Sequence, residues 1–585
     1  MAFDSLVLSA VVNELRQELP GGRVNKVHQP DAQTLVLRYH GREGHGRLLI
    51  SVHPDNGRLH KTETARENPA QAPLFVMVLR KWLEGSRILD IGSADGERVA
   101  WLILEARNDI GDPVQLRLII EIMGKHSNII LVDPQNNILD GIRRYGSSLS
   151  RYREVLPGRA YVPPPPLTKL PLPPTDEEAL AAALYRQGDG NLADALRREV
   201  CGISPLLAQH LALAAGCNPS LPAEQLGEYE LSQLYRQLQD LRRRMDGHRY
   251  ACCLLRDGQG RIVDFAALVP AHWPPEQVVT ISSMNKAVDA FYGQREAEQL
   301  FQRRRQALDK ALRKHQARLD KKISLQQAEL TQCEAADAYK QAADLLAAHQ
   351  WSLAKGQDLA ELPSFADPER TVTVKLDPPL TPQENVQRYY RRYAKAKKAR
   401  GRIEQQLKAN GEELDYLLNI RQSLADCEDL EALRQIEGEA IAAGYYERHE
   451  EKRRRAKEAR PQDNPSSPLP PRSYVSADGF TILVGRHNKQ NDRLSLKQAQ
   501  EEDLWLHAQK IPGAHVIIVR QGREIPDSTI REAAAYAAWF SEAKASAQVP
   551  VDYVPAGMLR KPPGSRPGLV IYTNQRTIYV TPREP

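Results

Sequence analysis

The sequence predicts a multidomain α+β protein, and three observations carry that expectation. The chain has 585 residues, whereas single hydrophobic cores stop growing near roughly 250–300 residues. Up to about residue 170 strand-like and helix-like apolar patterns alternate, and they do so again after about residue 473; the middle is long, polar and helical. Runs of proline and charge punctuate the joins.

The opening MAFDSLVLSAVVNELRQELP carries acids early and has no basic run ahead of an apolar core. It reads as an amphipathic helix and not as a signal peptide. TLVLRYH (Thr34–His40), RLLISVH (Arg47–His53), RVAWLILEA and QLRLIIEIM read as strands, and FVMVLRKWL (Phe75–Leu83) as a helix. The run LPGRAYVPPPP closes this first domain, residues 1–174, because Pro163–Pro166 can continue neither a ladder nor a helix. Residues 175–280 follow, with a helical pattern broken by short turns as far as Trp273. Within it VCGISPLLAQHLALAAG sets Gly202 and the Ser204-Pro205 helix start before an apolar helix and Gly216 after it. That is the outline of a helix-hairpin-helix, which presents backbone N–H groups to phosphate; any short helical hairpin gives the same outline.

Residues 281–445 predict an antiparallel coiled-coil arm. Leu308, Leu312, Leu319, Ile323 and Leu330 recur at helical spacing, and Ile403, Leu407, Asn410, Leu414, Leu417 and Leu424 follow steps of four and three. TVTVKLDPPL (Thr371–Leu380) between them predicts a small non-helical tip. Residues 446–472, charged and then Pro/Ser-rich, read as a linker. Residues 473–585 form the last, small α+β domain, with the helix STIREAAAYAAWFSEAK and a closing LVIYTNQRTIYVTP that reads as a hairpin around Asn574-Gln575.

Composition limits the chemistry. Lys+Arg 80 against Asp+Glu 74 gives only +6, so an electrostatic partner must be met by local clustering. No apolar run approaches the roughly 18–20 residues that span a bilayer. The six cysteines form no CxxC and no zinc-spaced Cys/His cluster, and a reducing cytoplasm is the expected setting. GxxxxGK[ST], HExxH and GxSxG are all absent. No metal, cofactor or membrane association is expected.

The basic clusters carry more. Between Arg303 and Lys322 nine cations face only Asp309 and Asp320, and the returning helix offers Arg388, Arg391, Arg392, Lys395, Lys397, Lys398, Arg400 and Arg402 without an acid among them. Solvated helix faces are often charge-rich. Here the acids are missing over the same span of both helices, and uncompensated cations that displace counterions from phosphates favour an RNA or DNA partner. In the first domain, SADGERVAW (Ser93–Trp101) puts Glu97-Arg98 at the entry to a strand, where the pair can grip a phosphate or a base edge or can form an exposed ion pair. EIMGKHSNIILVD (Glu121–Asp133) places Gly124, Lys125, His126 and Asn128 in a turn. In DLWLHAQKIPGAHVIIV (Asp503–Val519), His507 and His515 flank a Pro-Gly turn with no third ligand nearby, so packing is a better reading of one of them than zinc or general-base chemistry.

These strings, with PLFVMVLRKWLEG, RYREVLPGRAYVPPP, LDPPLTPQENVQRYYRRYAKAKKA and KPPGSRPGLVIYTNQRTIYVTP, resemble NFACT proteins over essentially the whole chain. That family includes bacterial ribosome quality-control factors of the RqcH type, and its bacterial members are often labelled fibronectin-binding proteins. The resemblance implies an N-terminal domain with a fold related to formamidopyrimidine-DNA glycosylases, a helix-hairpin-helix domain, the coiled-coil arm and an NFACT-R domain. It implies binding to a 50S subunit (23S rRNA and proteins) still obstructed by peptidyl-tRNA. It further implies recruitment of alanyl-tRNA for mRNA-independent alanine tails that mark the nascent chain for degradation, and cooperation with a small RqcP-type RNA-binding protein. An Asp-Arg pair and a Glu-Ile-Met triplet serve tRNA in this family. They fall on Glu97 and Arg98, with Glu in place of Asp, and on Glu121, Ile122 and Met123; Trp82 in RKWLEG stands where His is expected. The last domain offers Arg486, His487, Asn488, Asn491, Asp492, Trp505, His507 and His515 as a candidate RNA surface. The arm offers Arg391, Arg392, Lys395 and Lys398 as rRNA contacts. The glycosylases use an N-terminal proline nucleophile, and this chain begins Met1-Ala2-Phe3; the expectation is therefore a positioning factor, not an enzyme. The competing readings are a surface adhesin and a glycosylase-like repair enzyme.

Overall fold

The computed structural model describes residues 3–585 apart from 67, 70, 109, 149, 167, 187–189, 334–335, 366–369 and 448–468. The expected 446–472 linker therefore lies almost wholly outside the described residues. The chain forms two compact units, Met1–Glu298 and Gln299–Pro585, and both combine helices with antiparallel sheet. Among the described residues no helix is long and apolar enough to cross a membrane.

In the first unit, α1 (Ser5–Glu18) starts where the Asp4 carboxylate accepts the Val7 N–H at 2.9 Å, a side-chain cap for an otherwise orphaned donor. Its Leu8, Val11 and Leu15 are buried. The four strand runs named in the sequence belong to a larger sheet of nine antiparallel strands: β1 (Arg23–Asp31), β2 (Thr34–Gly41), β3 (Gly44–Ser51), β4 (Arg58–Lys61), β5 (Arg87–Ser93), β6 (Val99–Arg107), β7 (Pro113–Glu121), β8 (Asn128–Val132) and β9 (Ile138–Gly141). They are ordered β4-β3-β2-β1-β5-β6-β7-β8-β9. With α1 and α2 (Leu74–Leu83), Leu102, Leu104, Leu118, Ile120 and Ile122 build the main core. The alternate residues Val99, Ile119 and Ile130 point the other way, into a smaller cluster with Val132, Ile138 and Val155. Helices α3 (Glu177–Tyr185), α4 (Leu192–Glu199), α5 (Pro205–Ala214) and α6 (Glu228–Asp246) add Leu184, Leu196, Leu207 and Leu238 to the main core.

The all-helical expectation for residues 175–273 is corrected at its end. There β10 (Cys253–Arg256), β11 (Ile262–Ala266) and β12 (Val278–Thr280) form a sheet of order β11-β10-β12. These apolar runs are too short for periodicity to separate strand from helix, and the Asp257-Gly258 turn is the better signal. The long helix α7 (Met284–Cys333) then begins against the Glu14 carboxylate, which accepts from the Ser283 hydroxyl (2.7 Å) and the Met284 and Asn285 N–H groups (2.5 and 3.1 Å).

In the second unit, α7 pairs antiparallel with α9 (Pro382–Ala425): Lys322 and Gln326 bond to Asn410 (3.0 and 2.6 Å), Gln326 bonds to Gln406 (3.1 Å), and Gln316 meets Arg421 further back. Asn410 is buried in the seam; Leu308, Leu312, Leu417 and Leu424 fill it, while Ile323 and Leu407 are half-buried. Between the long helices, α8 (Ala336–Ala348) and the hairpin of β13 (Leu359–Pro363) and β14 (Thr371–Lys375) enclose Leu346, Leu362, Val374 and Tyr389. After α10 (Leu430–Ala442) come β15 (Arg472–Val475), β16 (Thr481–Val484), the short α11 (Asn488–Arg493), β17 (Leu504–Ala508), β18 (Val516–Ile518), α12 (Asp527–Trp539), β19 (Val549–Pro555) and β20 (Arg576–Val580). The sheet order is β15-β16-β18-β17-β19-β20. LVIYTNQRTIYVTP is not the hairpin expected from it. Its second half, β20, pairs with β19, while Ile571 bridges back to Arg560.

Candidate nucleic-acid interface

Two turns end side by side on the nine-stranded sheet of the first unit. Between β5 and β6, the Ala94 N–H bonds to the Val99 carbonyl (2.8 Å), and Gly96 takes the left-handed conformation (φ 66°) that the tight turn demands. Between β7 and β8, the Ile122 N–H bonds to the Arg98 carbonyl (2.8 Å), so the two turns are registered to each other. A third segment joins them, the turn leading into α5. There the Ser5 hydroxyl donates to the Gly202 carbonyl (3.0 Å), and Ser204 caps α5 by accepting the Leu207 N–H at 3.2 Å. A Cβ on Gly202 would lie 2.9 Å from the Ser5 Oγ and 3.2 Å from the Gly96 carbonyl oxygen, so only glycine permits this approach.

These segments enclose a cleft of about 460 Å³, lined by Glu97, Arg98, Ile122 and Met123 together with Asp4, Lys169, Arg197 and the Gly202–Pro205 turn. Three cations face two carboxylates there, and the amino end of α5 adds its partial positive charge. Burial lowers the Arg98 guanidinium from its ordinary range, with Asp4 and Tyr292 opposing the shift. Asp4 moves up, again through burial, against the Val7 N–H, the Ser204 hydroxyl and the Arg98 charge. The floor of the cleft is thus a partly desolvated Arg beside a carboxylate. Such a guanidinium is suited to a planar, bidentate grip on phosphate or a base edge.

In the C-terminal sheet, Trp505 and His507 lie on one face of β17. Trp505 is 1 % exposed and His515 3 %. The Trp505 ring centroid is 5.7 Å from His507, 5.1 Å from His515 and 5.0 Å from Tyr572. The Ser495 hydroxyl bonds His515 Nδ1 at 2.7 Å. Burial pulls the His507 imidazole down to about 4, against its bond to Gly513 and the Asp552 charge. His515 falls well below the usual value through burial and the neighbouring His507. Both histidines are therefore neutral at pH 7. Because the unfolded chain takes up their protons near 6.5 and the folded chain does not, stability is full above pH 6.5 and falls as pH drops from there toward 4. Thermal unfolding should show a lower midpoint at pH 5 than at pH 7, and a smaller gap in His507→Gln.

Along the helix pair, Arg391, Lys395, Lys398 and Arg402 are exposed and have no carboxylate at ion-pair distance among the described residues. Other cations in the same spans are engaged: Arg304 with Glu437, Arg313 with Asp309 (2.7 Å), Arg388 with Asp377 and Arg400 with Glu404 (2.8 Å). Arg392 lies over the Tyr339 and Tyr389 rings (5.9 and 5.7 Å).

Residues 4–459 match the NFACT N-terminal and middle domains, and residues 471–572 match the NFACT protein RNA-binding domain. The chain belongs to the NFACT family. It is 33% identical over 591 residues to the Rqc2 homolog RqcH of Bacillus subtilis (strain 168), covering 100% of this chain and 98% of that protein. Human ribosome quality control complex subunit NEMF is 24% identical over 357 residues, 56% of this chain and 31% of that protein. Among solved structures, the N-terminal part of the fibronectin/fibrinogen-binding protein from Streptococcus suis is similar, with 32% identity and a TM-score of 0.41 over 50% of this chain and 99% of that one.

Of the five residues expected to serve tRNA in this NFACT chain, four line the cleft and Glu121 does not. Glu121 lies on β7, its side chain directed to the opposite face from Ile120 and Ile122, and it is 0 % exposed. A direct contact with RNA is corrected to a buried position beneath the turn. The NFACT RNA-binding domain needs a larger correction. Trp505, His487, Asn488, Asn491 and His515 are buried, so they form no stacking surface. His487 bonds Gln435 (3.0 Å), Asn488 bonds Glu439 (2.9 Å), and the Asn491 carboxamide accepts the His515 N–H (3.3 Å). These residues tie the domain to α10 and to its own loops. Arg486, Asp492 and His507 are half-buried, Arg486 donating to the Pro470 carbonyl (3.1 Å) and Asp492 pairing with Lys561. Sequence reasoning missed Asp4, Lys169 and Arg197 as cleft residues. Asp4 stood there only as one of the early acids of an amphipathic helix, and nothing in the sequence marks the two cations.

Proposed function

We propose that this NFACT chain is a ribosome quality-control factor that holds tRNA in the cleft at Arg98. It binds the large subunit obstructed by peptidyl-tRNA and recruits alanyl-tRNA, and an RqcP-type protein assists the cycling of that tRNA. Alanine tails then grow without mRNA and mark the chain for degradation. Peptide-bond formation belongs to the ribosome; the protein supplies binding and orientation. One observation carries the reading: Glu97, Arg98, Ile122 and Met123, matched to the family's tRNA motifs, converge with Lys169, Arg197 and the amino end of α5 on one cleft. The longer Glu97, in place of Asp, reaches this same wall. No observation on this chain favours the adhesin reading.

Arg98→Ala is expected to weaken tRNA binding about tenfold, flatten its salt dependence by about one phosphate contact and abolish alanine tailing. Cosedimentation with the 50S subunit should be retained. Unchanged tails in the variant would remove the assignment. Sequencing the RNA that copurifies with the wild-type chain tests the partners directly, with 23S rRNA and alanine tRNA expected together.

A further inference from the structure

The motif RYREVLPGRAYVPPPP contributes Pro165 to the cleft wall, yet its Arg153 and Tyr161 end on Glu121, the one motif residue the cleft leaves out. Resting on the reading of the cleft as a tRNA site, we propose that Arg153 and Tyr161 are positioning residues for tRNA. They hold the Glu121 carboxylate on the far face of the sheet and so fix the Ile122–Ser127 turn that walls the cleft.

The Arg153 guanidinium takes both Glu121 oxygens, at 2.6 and 2.5 Å, and its Nη1 also donates to the Val162 carbonyl at 3.0 Å. The Tyr161 hydroxyl donates to the same carboxylate at 2.9 Å. Arg153 and Glu121 are both buried, beside Val99, Ile119, Val155 and the rest of the smaller apolar cluster. An apolar pair of similar volume would serve stability as well or better in such a place. What the bidentate fork adds is a fixed direction for the end of β7. The far end of the turn is pinned in the same manner. Asn128, fully buried, bonds both main-chain groups of Arg143 (2.9 and 3.0 Å), and the Arg143 guanidinium reaches the Lys125 carbonyl at 2.7 Å. Inside the turn, the Ser127 hydroxyl accepts the Met123 N–H (2.8 Å) and donates to the Gly124 carbonyl (2.7 Å). A shift of Glu121 therefore moves Ile122 and Met123, and Arg98 with them through the Ile122 N–H bond to its carbonyl.

The test uses the full chain with total tRNA as the probe, binding measured across a salt series, and folding followed by thermal unfolding and 50S cosedimentation. Arg153→Lys, which keeps the charge and loses the fork, should weaken tRNA binding about tenfold, as loss of an orienting partner does at other sites. Tyr161→Phe, which leaves the ion pair intact, should weaken it about threefold. In both, the slope of log K on log salt should match wild type, because no phosphate contact has been removed; in Arg98→Ala it should flatten by about one. Folded Arg153→Lys and Tyr161→Phe proteins that bind tRNA like wild type overturn the proposal. So does a flattened slope in Arg153→Lys, which would make Arg153 a direct contact. If Arg98→Ala itself changes neither affinity nor slope, the cleft reading falls first and this inference with it.

Discussion

Trp505→Ala is expected to destabilise the second unit by about 3–5 kcal/mol, the range for removing a large aromatic side chain from a well-packed interior. Against a typical stability of roughly 5–15 kcal/mol, that is a large fraction. The unfolding midpoint should fall by roughly 6–20 °C for a unit of this size. The expectation follows from where the residue lies. Trp505 is on β17, a central strand, and packs with Leu494, Ile517, Val554 and Leu559 as well as with the His507, His515 and Tyr572 rings. Among the described residues its indole Nε1 meets no hydrogen-bond partner, so within the protein the residue is held by packing. Trp505→Phe removes that unsatisfied donor along with some volume, and its effect should be well below that of alanine. Differential scanning calorimetry of the three proteins checks both statements. The opposite pattern, an unchanged midpoint and weaker RNA binding in Trp505→Ala, would return the residue to the surface.

How much of this could be read beforehand depended on how local its cause is. The strands β2, β3, β6 and β7 were legible because their apolar residues alternate or run continuously between turn signals, and α5 because Ser204-Pro205 is a complete start signal. The four cleft residues were found through a family motif, whereas their convergence with Lys169 and Arg197 depends on contacts between residues 46 to 100 positions apart in the chain. Glu121 misled for a definite reason. It was assigned to tRNA only through the family's Glu-Ile-Met triplet, which does not tell which face of the strand the acid takes; the partner that buries it, Arg153, is 32 residues away. Trp505 and His515 misled in a related way. Both faces of the C-terminal sheet are covered, one by α12 and the other by the aromatic cluster, so a strand carrying polar aromatics was not a strand with an open face.

Reversing Arg391, Lys395, Lys398 and Arg402 to glutamate should lower affinity for the 50S subunit about a thousandfold or more at physiological salt and flatten its salt dependence by three to four contacts. The four residues are spaced four, three and four apart, and at about 100° per residue they fall within roughly 60° of one another on α9. All are exposed, and none has a carboxylate partner among the described residues. Like charges at these spacings repel by about 0.2–0.5 kcal/mol per pair, so the stripe weakens the isolated helix slightly and contributes nothing to the α7–α9 seam, which Leu312, Asn410 and Leu417 fill. The stripe's expected role is contact with a polyanionic partner, and the reversal tests it. Arg392 belongs to the stripe less than the sequence suggested, because its guanidinium lies over Tyr339 and Tyr389, and Arg392→Ala alone should disturb the hairpin region more than ribosome binding. Since exposed substitutions seldom change stability by more than about 0.5 kcal/mol, the reversed variant should unfold close to the wild-type midpoint. Its cosedimentation with 50S subunits, followed across a salt series, then reports the contact alone. Wild-type sedimentation in that variant would mean that the stripe is a solvated helix face and that the ribosome is met elsewhere.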